Sequence, residues 1–496
     1  GGEAAGRATM SRARHAMQGH PPGTVIGKQS TSGADEMAGG KGSNEATASS
    51  AETPCHGALA FKARLCEAFG SRFFWLVCAQ YGLSQGAGGS LRGFASDFFY
   101  KDVKGLGPDE LMTAHAVAHV PWNIKPLYGI LSDTLPILGL RRTYYIVIAG
   151  TLGLLGQVAL VVYGRTMSVP SVVLVFALAN LSVTIPDVMV DASVAERSRD
   201  HPELLPDLQS LCWGSLTLCG LLASICKGSL LERHGPEALF ALAALAPVAV
   251  TYLAWNGALG EQRVRYRAGR PSCLQRLRAQ GRLFFATLRI PQVLRPAAFM
   301  FLRVATVPAL SGPMFFFNTS QAEGDPGFSA SFLAFLSVVG SLCSLLAIAV
   351  YNRYLREAQL RRIFVAYGIV SFVSGLSDLV FVLRWNKAVG ISDTLFILGD
   401  DVLFTTLDTA LGMPMQALMA RLCPPTIEGT FFAMLASISN SSYDVARYFG
   451  SLLARELGVS KDNLTNLWKA VLIKQAFKVI PILLPFCLLP DASPLT

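Results

Sequence analysis

Ionisable side chains stand within long apolar stretches of this 496-residue sequence, at spacings that place them together on helices. Lys125, Gly129 and Asp133 recur every four residues and therefore share one helical face. Asp187 and Asp191 repeat that spacing in a later stretch. A charge at the centre of a membrane helix costs at least about 2.5–3.5 kcal/mol, which points to proton coupling or recognition of a charged ligand. The structural alternative is an ion pair or a position among lipid headgroups.

A second group of charges follows the first face. Asp133 ends its apolar stretch, and Arg141 and Arg142 come after a turn at Gly139. We predict that the carboxylate and the two guanidinium groups form a charge-assisted cluster at a helix end. With Gly129 permitting a neighbouring helix to approach closely, this cluster is predicted to latch a gate in one conformation.

Other polar residues in apolar stretches complete the set of candidates for substrate binding or coupling. They are Gln209, Arg303, Asp400, Asp401, Asn440 and Arg447. Lys469, Lys474 and Lys478 lie near a helix end, so we interpret them as anchors whose ammonium groups reach the membrane surface. His115 and His119 have the spacing of a metal pair but no accompanying Cys or carboxylate, so packed or proton-carrying histidines are the preferred interpretation and no metal is predicted.

Several chemistries lack their motifs. The sequence has neither the phosphate-binding loop of ATP-driven pumps nor the G-x-S-x-G turn of hydrolases, and its ten cysteines form no C-x-x-C pair. An intramembrane enzyme acting on lipid or isoprenoid would need acidic D-D-x-x-D boxes, and Asp400-Asp401 lacks the third member. We therefore predict no enzymatic activity and no cofactor.

The elements that carry these residues are predicted to be membrane helices. Hydrophobic residues make up 52% of the chain and charged residues 15%, against about 25% charged in soluble domains. A bilayer crossing needs about 20 apolar residues. Windows of that kind fall at 72–95, 109–132, 143–164, 169–191, 208–231, 236–257, 293–317, 328–351, 362–384, 393–420, 426–453 and 465–489. The prediction is an all-α membrane protein with 12 transmembrane helices in two six-helix bundles.

Composition divides the chain further. The predicted regions are a disordered tail at 1–60, bundles at 61–257 and 293–490, a linker at 258–292 and a short tail at 491–496. The linker holds eight arginines against the single acid Glu261, which places it and both termini on the cytoplasmic side. Its charge suits topology and anionic lipid headgroups, so we predict contact with membrane lipid and none with nucleic acid. The tail is either a transit peptide or an unstructured cytosolic segment.

Several motifs together are similar to those of one family. Gly129-Ile-Leu-Ser-Asp133 followed by Gly139-Leu-Arg141-Arg142 resembles the loop between helices 2 and 3 of the major facilitator superfamily. The surrounding segments 98–103, 121–129, 187–192, 207–210 and 421–425 resemble the folate–biopterin transporter family across about residues 70–490. The chain departs from that pattern in its long tail and in Asn123, where a glycine is expected.

The resemblance implies a major-facilitator fold and a proton-coupled or facilitative carrier of folates or pterins that works by alternating access, and we expect it to be a monomer with protons as the coupling ion. Folate offers a glutamate dianion, which suits Arg or Lys, and a pterin donor edge, which suits Asp or Asn. Carriers of other zwitterions, such as S-adenosylmethionine, and a transport-inactive receptor remain alternatives. The expected location is the plasma membrane or a plastid or other organelle envelope.

Overall fold

The computed structural model describes most of the chain beyond its first 53 residues. The described residues are 54–263, 275, 278–279, 281–282, 286, 288–355, 359–422 and 428–489. Those in the range Pro54–Thr496 belong to one compact unit. Nearly all of the predicted tail, most of the linker 258–292 and the segment 491–496 lie outside the described residues.

Helices account for the described part of the N-terminal half. They are α1 (Pro54–Phe69), α2 (Ser71–Val77), α3 (Gly88–Phe98), α4 (Pro108–Ala118), α5 (Val120–Asn123), α6 (Lys125–Thr134), α7 (Thr143–Tyr163), α8 (Val169–Arg197), α9 (Leu205–His234), α10 (Pro236–Ala243) and α11 (Leu245–Trp255). Two π-helical stretches, Cys78–Ala87 and Phe99–Val103, join and extend α2 and α3. The helix α1 begins inside the segment predicted as a tail, and its Leu65 and Phe69 are buried in the core.

The described part of the C-terminal half is helical as well. Its helices are α12 (Pro291–Ala305), α13 (Ser311–Asn318), α14 (Ala330–Val350), α15 (Leu360–Ser374), α16 (Leu376–Val382), α17 (Trp385–Ala388), α18 (Asp393–Leu422), α19 (Glu428–Glu456), α20 (Leu467–Phe477) and α21 (Val479–Leu488). Within the described ranges there is no β-strand, only two isolated bridges. The prediction of an all-α protein is confirmed.

Each of the twelve predicted windows falls on a helical stretch of the structure. Seven stretches of the described residues are long and apolar enough to cross a bilayer, judged by length and composition only. The other windows coincide with helices that are interrupted or carry several charges. The number of twelve crossings therefore stays a prediction, consistent with the helices observed.

The window 109–132 contains a break at the position of its central charge. Proline lacks a backbone N–H, and Pro121 and Pro126 divide this stretch into α4, α5 and α6. Ile124 between α5 and α6 leaves the helical conformation, with φ −108° and ψ 20°. Irregular backbone at membrane depth is tolerated where it is buried in protein or lines a cavity. The break places Lys125 at the first turn of α6.

Each half has its own hydrophobic core. In the N-terminal half, one cluster around Phe73, Ile146 and Val190 and another around Phe99, Leu160 and Phe240 contain fully buried side chains. A further cluster in the C-terminal half centres on Phe299 and Phe364, which pack edge to face. Other buried side chains pack across the halves, among them Phe316 with the Phe99 cluster and Met112 with Ala454.

Candidate functional site

A cavity of about 330 Å³ lies between the two halves. Its lining residues are Gln85, Gly89, Arg92, Gly93, Ser96, His115, Ala118, His119, Trp122, Phe176, Ala179, Asn180, Val183, Leu216 and Arg447. All come from the N-terminal half except Arg447, which α19 supplies. The volume is within the range of about 300–1,000 Å³ typical of ligand pockets. Of the residues predicted for substrate binding, Arg447 lines this cavity directly.

The predicted face of α6, which carries Lys125, meets the predicted carboxylates of α8 directly behind the cavity wall. Lys125 Nζ lies 2.5 Å from Asp187 Oδ2, and both side chains are buried. Gln85 Nε2 donates a hydrogen bond to the other Asp187 oxygen at 2.6 Å, and the Lys125 ammonium lies 4.5 Å from the centre of the Trp122 ring. Gln85 and Trp122 line the cavity, so the ion pair is separated from it by one layer of side chains.

Asp191 extends this buried group by one helical turn. It accepts a hydrogen bond from the Tyr81 hydroxyl and lies within electrostatic range of Asp187 and Lys125. One ammonium thus faces two carboxylates, which leaves one unit of negative charge in excess. Because an uncompensated buried charge is costly, the group is suited to take up a proton or a cationic ligand.

A second polar group joins the two halves along the cavity wall. Asp444 of α19 is buried and bonds with His119 Nδ1 at 3.0 Å, Asn123 Nδ2 at 2.8 Å and Arg447 Nη1 at 2.6 Å. His119 and Asn123 belong to the N-terminal half. The asparagine that replaces an expected glycine therefore has a structural role, since its amide spans the halves. Asn440, one turn earlier on α19, donates to the backbone oxygen of Trp122 at 3.3 Å.

Hydrogen bonds between the halves continue from this group toward one end of the molecule. They include Thr113 with Ser451, Ser451 with the Asp109 carbonyl, Lys101 with Thr319, Glu232 with Ser331 and Lys461 with the Gly105 carbonyl. A Cβ added to Gly312 of α13 would lie only 2.5 Å from the Pro108 carbonyl oxygen. The ends of the helices near residues 104–108 are therefore drawn tightly together.

The predicted gate residues lie at the opposite end of α6. Arg142 is buried and donates to Glu196 Oε2 and to Ser193 Oγ, each at 2.9 Å. Asp133 forms no ion pair within 4 Å among the described residues, although Arg141 and Arg142 lie within electrostatic range of its carboxylate, and Arg142 pairs directly with Glu196. Leu138 and Gly139 have φ of 48° and 81°, and this left-handed turn directs the chain so that Arg142 reaches α8.

The two remaining gate residues have different surroundings. Arg141 is exposed and lines, with Arg142 and Glu196, a separate cavity of about 520 Å³ at this end. A Cβ on Gly129 would lie 3.7 Å from Val188 Cγ1, an ordinary van der Waals distance. Gly129 faces α8 across this distance, which a larger residue's Cβ would also fit, so the structure does not require a glycine there.

The other predicted residues do not reach the cavity between the halves. Arg303 packs over the Tyr367 ring, whose hydroxyl donates to Asp408 at 2.8 Å. Asp400 accepts a hydrogen bond from Ser377, and Asp401 lines a different cavity of about 470 Å³ between α14 and α18. Gln209 is exposed on α9.

Sequence reasoning misjudged two of the three lysines in the last predicted span. Lys474 Nζ pairs with Asp378 at 2.9 Å, and the buried Lys478 donates to the Ser371 carbonyl at 2.9 Å. Both groups bond to neighbouring helices and do not extend toward the membrane surface. The i, i+4 spacing of Lys474 and Lys478 was the available signal for a shared inward face.

Three cavity residues were also missed. Arg92 and Gln85 stand in a stretch rich in Gly, Ala and Ser, where each is conspicuous as a polar residue within the first apolar window. Asn180 accepts from Trp122 Nε1 at 3.1 Å and donates to the Ala118 carbonyl at 2.8 Å. These side chains give the cavity hydrogen-bonding groups of both kinds beside an aromatic face.

Comparison with known proteins identifies the family. The model of the BT1 family matches residues 85–495. The chain belongs to the BT1 family. It is 31% identical to "Probable folate-biopterin transporter 2" of Arabidopsis thaliana, over 83% of this chain and 81% of the relative. It is 33% identical to the "Folate-biopterin transporter" of Synechocystis sp., over 81% of this chain and 78% of that one.

A solved structure shares the fold. The D-xylose-proton symporter superposes with a TM-score of 0.58 at 13% identity, covering 88% of this chain and 99% of the symporter. The predicted major-facilitator fold and the predicted family resemblance are therefore confirmed. Membership of a transporter family also agrees with the prediction that the chain is not an enzyme. With its apolar helices, this BT1-family chain is an integral membrane protein.

Proposed function

We propose that the chain is a secondary carrier of folates or pterins that works by alternating access. The observation that carries this proposal is the cavity of about 330 Å³ lined by helices of the N-terminal half and by Arg447 of α19, backed by the buried Lys125–Asp187 pair. Carriers of this architecture hold their substrate near the bilayer midplane between their structural repeats. The names of the relatives supply the substrate class.

The hydrogen bonds between the halves support the alternating-access part of the proposal. They extend from Asp444 beside the cavity to Lys101 and Lys461 at one end, so that end is closed in this conformation. Release at that end requires the bonds to break as the halves rock apart. In the predicted topology, with linker and termini cytoplasmic, the closed end faces away from the cytoplasm.

The chemistry of the cavity suits a pterin. A planar pterin has a donor edge and two faces for stacking, and the cavity offers Gln85 and Asn180 oxygens together with the rings of Trp122 and Phe176. Binding a hydrogen-bonding heterocycle would satisfy polar groups that otherwise need water. An apolar substrate would leave these groups unpaired.

Proton coupling is the finer part of the proposal. His115 Nε2 lies 2.8 Å from Asp97 Oδ1, and His119 forms the corresponding pair with Asp444 across the halves. A histidine–carboxylate pair that joins the halves gains or loses charge when a proton moves. Protonation can therefore favour one conformation, and we propose that uptake is driven by protons.

The test is uptake of labelled folate and labelled biopterin by a transport-deficient host at several pH values, with surface expression measured. We expect saturable uptake that rises as the external pH falls. Absence of uptake for both compounds, with the protein at the membrane, refutes the substrate assignment. Ligand binding without flux into proteoliposomes would indicate a receptor, and uptake independent of pH would refute proton coupling alone.

We further propose that the carrier is monomeric and resides in the plasma membrane or a plastid envelope. A fluorescent fusion of the complete protein, viewed beside membrane markers, distinguishes these two locations. Reaction of cysteines introduced near each terminus with an impermeant reagent tests whether both termini are cytoplasmic.

A further inference from the structure

One charged side chain of the cavity has no partner to neutralise it. Arg92 of α3 is 91% buried, since its exposed fraction is 9%, and it lines the cavity between the halves. Among the described residues its Nη1 atom has no hydrogen-bond partner. Buried guanidinium groups are almost always paired with an acid or with several oxygens, because leaving the donors unsatisfied is costly.

Small residues lie beside Arg92 on the cavity wall, while its Nη1 atom is itself shielded from solvent. Gly89, Gly93 and Ser96 on the same helix line the cavity beside it. A Cβ at Gly89 or Gly93 would meet nothing within 4 Å, so the helix leaves open space next to Arg92. A Cβ at Gly88 would lie 3.0 Å from Arg92 Nη1, so that glycine provides room for the guanidinium.

The nearby acids are already engaged. Asp97, one and a half turns further along α3, bonds to His115 at 2.8 Å. Asp444 is held by His119, Asn123 and the second cavity arginine, Arg447. The charge of Arg447 is therefore compensated and that of Arg92 is not. The cavity accordingly has an uncompensated positive charge on the wall formed by α3.

We propose that Arg92 binds a carboxylate of the transported substrate, the glutamate tail in the case of a folate. This inference rests on the proposed function and assigns the orientation of its substrate. A guanidinium group matches a carboxylate through two parallel hydrogen bonds. The heterocycle then lies toward Trp122 and Asn180, which line the same cavity.

The assignment makes Arg92 a determinant of specificity. Biopterin has a pterin ring but no carboxylate, so it needs no partner for Arg92. Removing the guanidinium should therefore weaken the binding of folate and leave the binding of biopterin nearly unchanged. A hydrogen bond to a charged group contributes enough for a loss of about ten- to a hundredfold in affinity.

The experiment compares Arg92→Gln and Arg92→Lys with the wild type, using folate and biopterin in the uptake assay. We expect Arg92→Gln to raise the folate KM about tenfold or more while the biopterin KM changes less than about twofold. The folate KM of Arg92→Lys should lie between those of the wild type and Arg92→Gln, since lysine keeps the charge but cannot form the two parallel hydrogen bonds. Lys478→Gln, which removes a buried cation away from this cavity, is the matched control and should leave the ratio of the two KM values unchanged.

Equal losses for both compounds in folded protein would overturn the proposal, because they indicate a structural role for Arg92. An unchanged folate KM would overturn it as well. A second readout is independent of transport: quenching of tryptophan fluorescence in purified protein by p-aminobenzoylglutamate, with Trp122 in the cavity as reporter. Quenching lost in Arg92→Gln supports the carboxylate site even if the wild type carries neither compound, and equal quenching in both proteins refutes it.

Discussion

Removal of the Lys125 ammonium gives a prediction whose size follows from the structure. In Lys125→Gln, the buried carboxylate of Asp187 and the partly buried carboxylate of Asp191 remain without their cation. Lys125 and Asp187 are each less than a tenth exposed, and their charged atoms are 2.5 Å apart. Removing one partner of such a pair costs about 3–5 kcal/mol. At about 1.4 kcal/mol per factor of ten, the lower figure means about a hundredfold fall in the ratio of folded to unfolded protein.

The double variant Lys125→Gln/Asp187→Asn separates stability from transport. Two neutral amides keep a hydrogen bond and give the group the same net charge as in the wild type, so we expect thermal unfolding of purified protein to return toward that of the wild type. Uptake of labelled folate, normalised to surface protein, should stay low because the charged Lys125–Asp187 pair is gone. Wild-type uptake in the double variant would refute the functional role of the pair.

The control is an ion pair on the surface. Arg165 bonds to Glu237 at 2.7 Å, and its side chain is 68% exposed. Exposed pairs contribute about 0–1 kcal/mol, so Arg165→Gln should leave unfolding and uptake nearly unchanged. An equally stable Lys125→Gln single variant would contradict the buried geometry from which the larger effect was derived.

Three further variants test other parts of the site. Glu196→Gln, which removes the partner of Arg142, should lower turnover about tenfold or more while substrate affinity, measured by fluorescence, changes little. Gly450→Ala should block close approach to Ala309 and reduce uptake more than about tenfold, because backbone cannot yield as a side chain does. Asp444→Asn should abolish the rise of uptake at low pH, since a protonated His119 would no longer meet a carboxylate across the halves.

Each of these variants has an outcome that contradicts its basis. If Glu196→Gln weakened substrate affinity while turnover stayed unchanged, Glu196 would have no role in gating. Gly214→Ala is the control for the glycine variant, because a Cβ there meets nothing within 4 Å, and an equal loss of uptake in both would refute the argument from close approach. An acid stimulation that persists in Asp444→Asn would place the proton elsewhere.

The sequence sufficed to predict the helices and the faces of single helices. Runs of about 20 apolar residues are a property of local sequence, so each window fell on a helical stretch. The spacing of Asp187 and Asp191 likewise predicted a shared face. The interruptions were harder to predict, because the π-helical stretch Cys78–Ala87 depends on packing against α9, where a Cβ on Gly86 would lie 2.4 Å from the Leu216 oxygen.

The sequence did not predict which side chains bond to one another across neighbouring helices. Arg142 had a nearby acid in Asp133, yet it bonds to Glu196 of α8 because the turn at Gly139 sets its direction. Lys478 lay near a helix end, where a surface anchor was expected, but its ammonium donates to the Ser371 carbonyl of α15. Such choices depend on the angles and offsets at which helices pack, which spacing along one helix does not specify.

The hydrogen bonds between the halves near residues 104–108 affect which molecules the carrier can transport. Each of these hydrogen bonds stabilises the observed conformation by a net amount of about 0.5–1.5 kcal/mol. Together they favour this conformation in the protein without substrate. A bound molecule shifts that balance only by the difference in its affinity for the two forms. A compound that fits both forms equally well would therefore occupy the carrier without being moved, and would act as an inhibitor however tightly it binds.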